Sequence, residues 1–175
     1  MVKIIILFVL LCGVTSCYPT KFPYDSEGLT YRNKFVFNNQ IKMDEIFYCL
    51  LPNRNHMYFF ENGYVFGCNF PNFDLIESKC YKIDDMREIP YDWGVYIISN
   101  DTLKLQRIAA YGRGKYGKFM VEELWAKIEA EGTTLRYFQK RNIDGKISVM
   151  DEVYKFYPCT NKPESTNILM QEKKK

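Results

Sequence analysis

Turn dipeptides at regular intervals constrain this chain more than any other feature of its sequence. Asn62-Gly63 is the strongest of them, because asparagine followed by glycine tolerates the positive φ angles of a type I′ turn. The flanking runs, residues 57–61 and 64–68, are rich in aromatic and β-branched residues, which favour strands. With strands at 41–50 and 152–157 added, the pattern predicts eight or nine antiparallel strands. The other turn signals are Asn100-Asp101, Glu131-Gly132 and Asp144-Gly145.

A sheet of this many twisted strands removes its exposed edges by closing on itself or by splitting into a sandwich. Because nearly all of the predicted connections are short, we expect an all-β, antiparallel up-and-down meander that closes into a barrel of about eight strands. The interior of such a barrel holds packed side chains or one small ligand.

Composition supports a packed domain and excludes several classes of protein. Hydrophobic residues make up 47% of the chain and aromatic residues 17%, which rules out a disordered chain. The net charge is +3, which is too small on its own to indicate nucleic-acid binding. A single histidine excludes most multi-histidine metal sites. We expect no metal, no cofactor and no nucleic-acid partner.

Two segments carry a helical rather than a strand period. Residues 74–87 place apolar side chains near one helical face and predict the one short helix of the fold. In residues 119–130, the spacing of Val121, Leu124, Trp125 and Ile128 also fits a helix. We predict a strand for 119–130, because residues 133–138 need an antiparallel neighbour.

The first seventeen residues have the features of an export signal. Lys3 provides the positive start, and the apolar run of residues 4–11 is too short to span a bilayer. Residues 14–17, Val-Thr-Ser-Cys, resemble the lipobox of bacterial lipoproteins, in which the cysteine receives a diacylglycerol and becomes the new N-terminus. We therefore expect residues 1–16 to be a signal peptide and Cys17 to be lipidated. The alternative is an ordinary secreted protein that is cut nearby.

The remaining chain divides into three parts. Residues 17–33 contain prolines and no apolar period, so we expect a lipidated N-terminus followed by a flexible tether. Residues 34–159 form the predicted barrel domain. Residues 160–175 are polar and end in three lysines, which predicts a disordered tail.

The order of these motifs is similar to that of small lipoproteins of Bacteroidetes bacteria that carry a lipocalin-like barrel. The similarity lies in the lipobox and in the runs at 57–66, 93–105, 133–135 and 154–156, with the Asn-Lys-Pro-Glu-Ser-Thr-Asn run at 161–167. It implies a lipocalin-like barrel in a lipoprotein of the bacterial cell envelope, at the outer membrane or the periplasmic face.

Alternation along the strands predicts which aromatic and aliphatic side chains share one face of the sheet. Such a lining suits a small hydrophobic or amphipathic ligand, since small-molecule pockets are mainly apolar. The alternative is that the same side chains fill the barrel as its core. The residues of this predicted face are Tyr58, Phe60, Leu103, Leu105, Leu135, Tyr137, Tyr154 and Phe156.

Other candidate residues are cysteines and a basic loop. An exported chain meets an oxidising compartment, so Cys49, Cys68, Cys80 and Cys159 are candidates for two disulfides, although they also suit free buried thiols. The glycine-rich run 111–118 carries Arg113, Lys115 and Lys118 and predicts a basic loop at one barrel mouth, where it would attract anionic groups.

The sequence shows no catalytic constellation. His56 follows a Leu-Pro-Asn-Arg-Asn run and is expected to be a surface loop histidine. We expect a non-enzymatic, membrane-anchored lipoprotein that binds a small ligand or an envelope partner. The alternatives are an outer-membrane assembly accessory that binds a protein through a sheet edge or the basic loop, and an enzyme inhibitor or an enzyme of unrecognised type.

Overall fold

A computed structural model of the chain describes residues 28–43, 46–49, 56–68, 93–111, 118–142 and 144–157. These residues form eight strands and one 3₁₀ turn at Ala130–Gly132. The predicted helix at 74–87 lies outside the described residues. The strands are β1 (Ile46–Cys49), β2 (His56–Phe59), β3 (Tyr64–Cys68), β4 (Trp93–Ser99), β5 (Thr102–Tyr111), β6 (Lys118–Glu129), β7 (Thr134–Arg141) and β8 (Ile147–Tyr157).

The strands form a closed antiparallel barrel in sequence order. Each strand pairs with the next, and β1 closes the barrel by pairing with β8 from Ile46↔Tyr157 to Cys49↔Tyr154. The prediction of an all-β, up-and-down, lipocalin-like barrel of about eight strands is confirmed. Residues 119–130 lie in β6, so the predicted strand is also confirmed.

Residues predicted as turns adopt the backbone that the strand connections require. Gly63 and Gly145 have φ angles of 83° and 79°, which a glycine adopts without the steric cost that a side chain brings. Asn100 has a φ of 56°, and asparagine is among the few other residues that tolerate this region. Local sequence therefore sets the hairpins between β2 and β3, β4 and β5, and β7 and β8.

A cluster of buried apolar side chains packs inside the barrel. Phe59 and Tyr96 contact edge to face with ring centroids 5.1 Å apart, and Phe47 lies 5.5 Å from Phe59 in the same arrangement. The Tyr96 hydroxyl donates a 2.7 Å hydrogen bond to the backbone oxygen of Phe60, so its buried polar group is satisfied. The wider cluster comprises Ile41, Met43, Phe47, Met57, Phe59, Val65, Tyr96, Leu103, Leu105, Leu124, Ala126, Leu135, Tyr137 and Tyr154.

Residues 35–43 cover one end of the barrel, which we call the plugged end. Ile41 and Met43 are buried in the interior cluster, and the Lys42 backbone N–H donates to the Gly132 oxygen at 3.3 Å. A Cβ atom on Gly132 would lie 2.2 Å from the Gln40 oxygen, so only glycine permits this approach. The far end of the barrel is the one where β5 connects to β6 and β7 connects to β8.

The packed part of the chain begins before the expected domain boundary at residue 34. Leu29 is 2% exposed, and Tyr31 and Arg32 form hydrogen bonds with barrel side chains. Residues 28–33, which the sequence placed in the tether, therefore lie against the barrel. The rest of the predicted tether, the signal peptide and the tail lie outside the described residues.

Candidate functional site

The residues predicted to line a ligand site divide between two faces of the sheet. Leu103, Leu105, Leu135, Tyr137 and Tyr154 belong to the interior cluster, and Phe156 packs against it. Tyr58 and Phe60 do not belong to it. Tyr58 packs against Phe66, and Phe60 stacks on Trp93 with ring centroids 5.8 Å apart.

The placement of Tyr58 and Phe60 corrects the predicted common face. In β2, Met57 and Phe59 are the inward residues, so alternation turns Tyr58 outward. Every residue of β2 is buried, which hides the inward–outward alternation in the sequence. The sequence pattern alone could not fix which alternate set faces the interior.

The inward residues of the predicted set act as core. Leu103, Leu105, Leu135 and Tyr137 are each 0–1% exposed, which leaves no space for a ligand beside them. The Tyr137 and Tyr154 rings contact each other with centroids 5.0 Å apart. Where the structure describes the barrel interior, these positions are filled by neighbouring side chains.

Charged residues replace apolar ones on the interior wall toward the far end. In β5, Arg107 continues the inward series of Leu103 and Leu105, and it pairs across the sheet with Glu122 of β6. Lys140 of β7 lies opposite Leu124, on the same inward face. These three charged side chains form the inner charged cluster.

Glu122 is the centre of the inner charged cluster. Its side chain is 2% exposed, with Arg107 Nε donating to one carboxylate oxygen and Lys140 Nζ to the other. Burial by itself raises the pKa of Glu122, but the attraction and hydrogen bonds of Arg107 and Lys140 outweigh it and hold this pKa below the ordinary value. Glu122 therefore stays ionised inside the barrel.

Arg107 retains donors that this cluster does not use. Its side chain is 27% exposed, and its terminal guanidinium nitrogens have no hydrogen-bond partner among the residues that the structure describes. Guanidinium groups bind carboxylates and phosphates through pairs of such donors. The interior wall thus presents a directed cationic group near the far end.

A second polar network holds the N-terminal segment on the outer face of the barrel. The Tyr31 hydroxyl donates to Glu123 Oε2 at 2.6 Å, and the Tyr31 backbone N–H donates to Gln106 Oε1 at 3.1 Å. Gln106 Nε2 also donates to Glu123 Oε2, at 3.2 Å. Burial raises the pKa of Tyr31, and the adjacent Glu123 raises it further. Burial raises the pKa of Glu123 as well, but its hydrogen bonds, first of all from Tyr31, bring it below the ordinary value.

Three of the five large apolar side chains that are exposed among the described residues lie on one outer surface, formed by β7 and β8, and the other two, Val36 and Phe37, lie in the segment at the plugged end. Val149 is 89% exposed, Ile147 53% and Phe138 37%, and we call these three residues the β7–β8 apolar face. Phe138 contacts Trp125 of β6 edge to face, with centroids 6.5 Å apart. Large exposed apolar side chains grouped in this way are typical of interaction surfaces.

Strand β8, which carries Ile147 and Val149, pairs with β1 over only part of its length. β1 pairs with β8 only over 154–157. Within the described part of the chain, residues 147–153 of β8 pair with β7 alone.

A groove of about 310 Å³ lies at the plugged end, beside the β6–β7 turn. Two of its three carboxylates already have cationic partners, since Lys127 pairs with Asp101 and Arg136 pairs with Glu129, and the third is Glu131. No group of three or more histidine, cysteine, aspartate or glutamate residues suited to a metal ion occurs in the residues that the structure describes.

Several predicted sites fall partly or wholly outside the described structure. Cys17, Cys80, Cys159, Arg113 and Lys115 lie outside the described residues. Lys118 is the first residue of β6, which places the predicted basic loop in the connection between β5 and β6 at the far end. The backbones of Cys49 and Cys68 lie in β1 and β3, but their side chains are outside what the structure describes.

The expectation for His56 was wrong. His56 is the first residue of β2, pairs with Cys68 of β3 and is 8% exposed. The preceding Pro-Asn-Arg-Asn run has the composition of a loop, but the β3 pairing recruits His56 into the sheet.

Sequence reasoning missed the inner charged cluster, although one signal was present. Arg107 lies two residues after Leu105, and Glu122 lies two residues before Leu124, so each shares the face of a core leucine. A charge in an otherwise inward-facing series indicates either a buried ion pair or a site.

Comparison of the chain with protein-family models, with curated proteins and with solved structures found no match. Among the residues that the structure describes, no helix is long and apolar enough to cross a membrane.

Proposed function

We propose that the chain is a lipoprotein of the bacterial cell envelope, anchored through Cys17, and that its barrel is a non-catalytic docking domain. The lipobox-like run before Cys17 supports the anchor. One observation carries the docking role: the apolar part of the described interior is packed with side chains, whereas Val149 and Ile147 project from the outer surface. A carrier of apolar ligands has the opposite distribution, with an apolar cavity inside and polar residues outside.

The anchor has a direct test with a matched control. We expect Cys17→Ser to lose incorporation of a palmitate analogue and to leave the membrane fraction, because two or more acyl chains are what hold such a protein to a membrane. Cys12→Ser, directly after the apolar run of the signal, should keep both label and location. Labelling of the Cys17→Ser chain would contradict the proposal.

The docking role is tested by site-specific crosslinking in growing cells. A photo-crosslinking amino acid at Val149 should yield an adduct with an envelope component. The same amino acid at Val36, which is 77% exposed next to the plugged end, is the matched control. Equal crosslinking at the two positions would contradict the role of the β7–β8 apolar face.

A second candidate function is binding of a small amphipathic ligand with an anionic head group. The unused donors of Arg107 on the interior wall favour it. In this case native mass spectrometry of the purified protein should show a co-purified anionic molecule that Arg107→Ala loses. Its absence from both proteins would contradict this candidate.

A further inference from the structure

The N-terminal segment reaches the barrel toward the far end. Gly28 lies against Val121 of β6, since a Cβ atom on Gly28 would come within 2.7 Å of Val121 Cγ2. Val121 is near the start of β6 at Lys118, which follows the β5–β6 connection. From there the chain runs along the outer face, where Tyr31 bonds to Glu123.

The β7–β8 apolar face lies at the same end of the barrel. Glu123 pairs across the sheet with Arg141, and Arg141 pairs with Ile147. Adjacent strands are about 4.8 Å apart, so Ile147 lies two strands, or about 10 Å, from the residue that holds Tyr31. Val149 follows two positions later on the same outer side of β8.

The length of chain between the anchor and the barrel limits where the barrel can sit. Ten residues, 18–27, separate Cys17 from Gly28. Even fully extended, this stretch reaches about 40 Å, which is close to the diameter of the domain itself. The domain thus stays within about one diameter of the membrane, and the local concentration of lipid around its surface is high.

We infer that the β7–β8 apolar face docks on the lipid surface and turns the far end of the barrel toward the membrane. This inference rests on the proposed anchor at Cys17. Ile147 and Val149 are the side chains that enter the lipid boundary, and the exposed ring of Phe138 on the neighbouring strand contacts Trp125 of β6.

The charges around this face indicate how it binds. Arg141 and Lys146 are exposed near the tip and are partly balanced by Asp144, while Lys140 is turned inward to Glu122. The net charge at the tip is therefore small. The apolar contact of this face is therefore measured on zwitterionic lipid, which adds little attraction for the cationic residues of the β5–β6 connection.

A tryptophan placed on the face reports its contact with lipid. The lipidated full chain with Val149→Trp is reconstituted in protein-free phosphatidylcholine vesicles, with and without brominated acyl chains. We expect a blue-shifted emission and a loss of the added signal on brominated lipid, relative to wild type. Val36→Trp, at the opposite end, should show neither change. Both positions are highly exposed, so both variants should fold.

The outcomes separate this inference from the proposed anchor. Protein that remains in the aqueous phase without an acyl mass on Cys17 contradicts the anchor. Vesicle-bound protein in which Val149→Trp behaves like Val36→Trp overturns the docking inference alone. An emission shift that occurs in native envelope membranes but not in protein-free vesicles assigns the face to a protein partner and also overturns the inference.

Discussion

Replacing Glu122 with glutamine tests whether an ionised carboxylate inside the barrel stabilises the fold. Glutamine has nearly the same shape, but it leaves Arg107 and Lys140 facing each other without a negative charge. Breaking a fully buried ion pair costs about 3–5 kcal/mol. The two cations are 27% and 24% exposed, so water screens part of this cost, and we expect about 2–3 kcal/mol.

The assay is urea unfolding at neutral pH, followed by tryptophan fluorescence. Glu129→Gln is the matched control, because Glu129 pairs with Arg136 on the surface and both side chains are more than a third exposed. We expect this control to lose less than about 1 kcal/mol. An equal loss of stability in the two variants would refute the reasoning.

The difference in stability between wild type and Glu122→Gln should also depend on pH. The pKa of Glu122 in the folded barrel lies below its ordinary value of 4.5, so the unfolded chain takes up a proton at a higher pH than the folded one. The stability that this carboxylate contributes is therefore complete above about pH 4.5 and is lost as the pH falls toward the folded pKa. The difference in stability between wild type and Glu122→Gln should shrink below about pH 4.5. A difference that stays constant down to pH values near 3 would count against this account.

Three further substitutions have defined outcomes. Gly132→Ala places a Cβ atom 2.2 Å from the Gln40 oxygen, at a backbone φ of 83°. It should lower the free energy of unfolding in urea by at least about 1 kcal/mol. An unchanged unfolding midpoint would contradict the close approach. Tyr96→Phe removes a buried 2.7 Å hydrogen bond to the Phe60 oxygen and should cost about 1–2 kcal/mol by the same assay, with no change contradicting that bond. Tyr31→Phe should speed amide hydrogen exchange in residues 28–34 with little effect on the barrel strands, and an equal effect throughout would contradict a local role.

Turn chemistry made most of the strand order predictable from sequence. Asn62-Gly63 and Asp144-Gly145 are local signals, and the positive φ angles at Gly63 and Gly145 show that they act locally. For residues 119–130 the helical period was misleading. Pairing of β6 with both β5 and β7 outweighs that local helical preference. In the sequence, only the need of residues 133–138 for a strand partner indicated that 119–130 form a strand.

The alignment of neighbouring strands limited how far the candidate site residues could be predicted from sequence. Tyr58 and Phe60 were placed on the wrong face because β2 is buried on both sides and gives no alternation to follow. The pairing of Arg107 with Glu122 depends on how two strands align across a connection, which residue types do not fix. His56 was misplaced for a related reason, since its partner strand lies beyond a turn.

The β7–β8 apolar face could be predicted only in part. Alternation with Ser148 and Met150 indicates that Ile147 and Val149 share a side of the strand, but apolar residues in a strand usually predict the core. The structure shows the reverse, because Met150 packs against the interior cluster and Val149 is turned away from it. The exposure of Ile147 and Val149 can therefore be seen only in the folded sheet.

The most direct test of the account is one native mass spectrum of the protein purified from bacterial membranes. We expect a chain that begins at Cys17, carries the mass of attached acyl chains and holds no small ligand inside the barrel. A mature chain with an unmodified Cys17, or a stoichiometric apolar ligand released on unfolding, would contradict it.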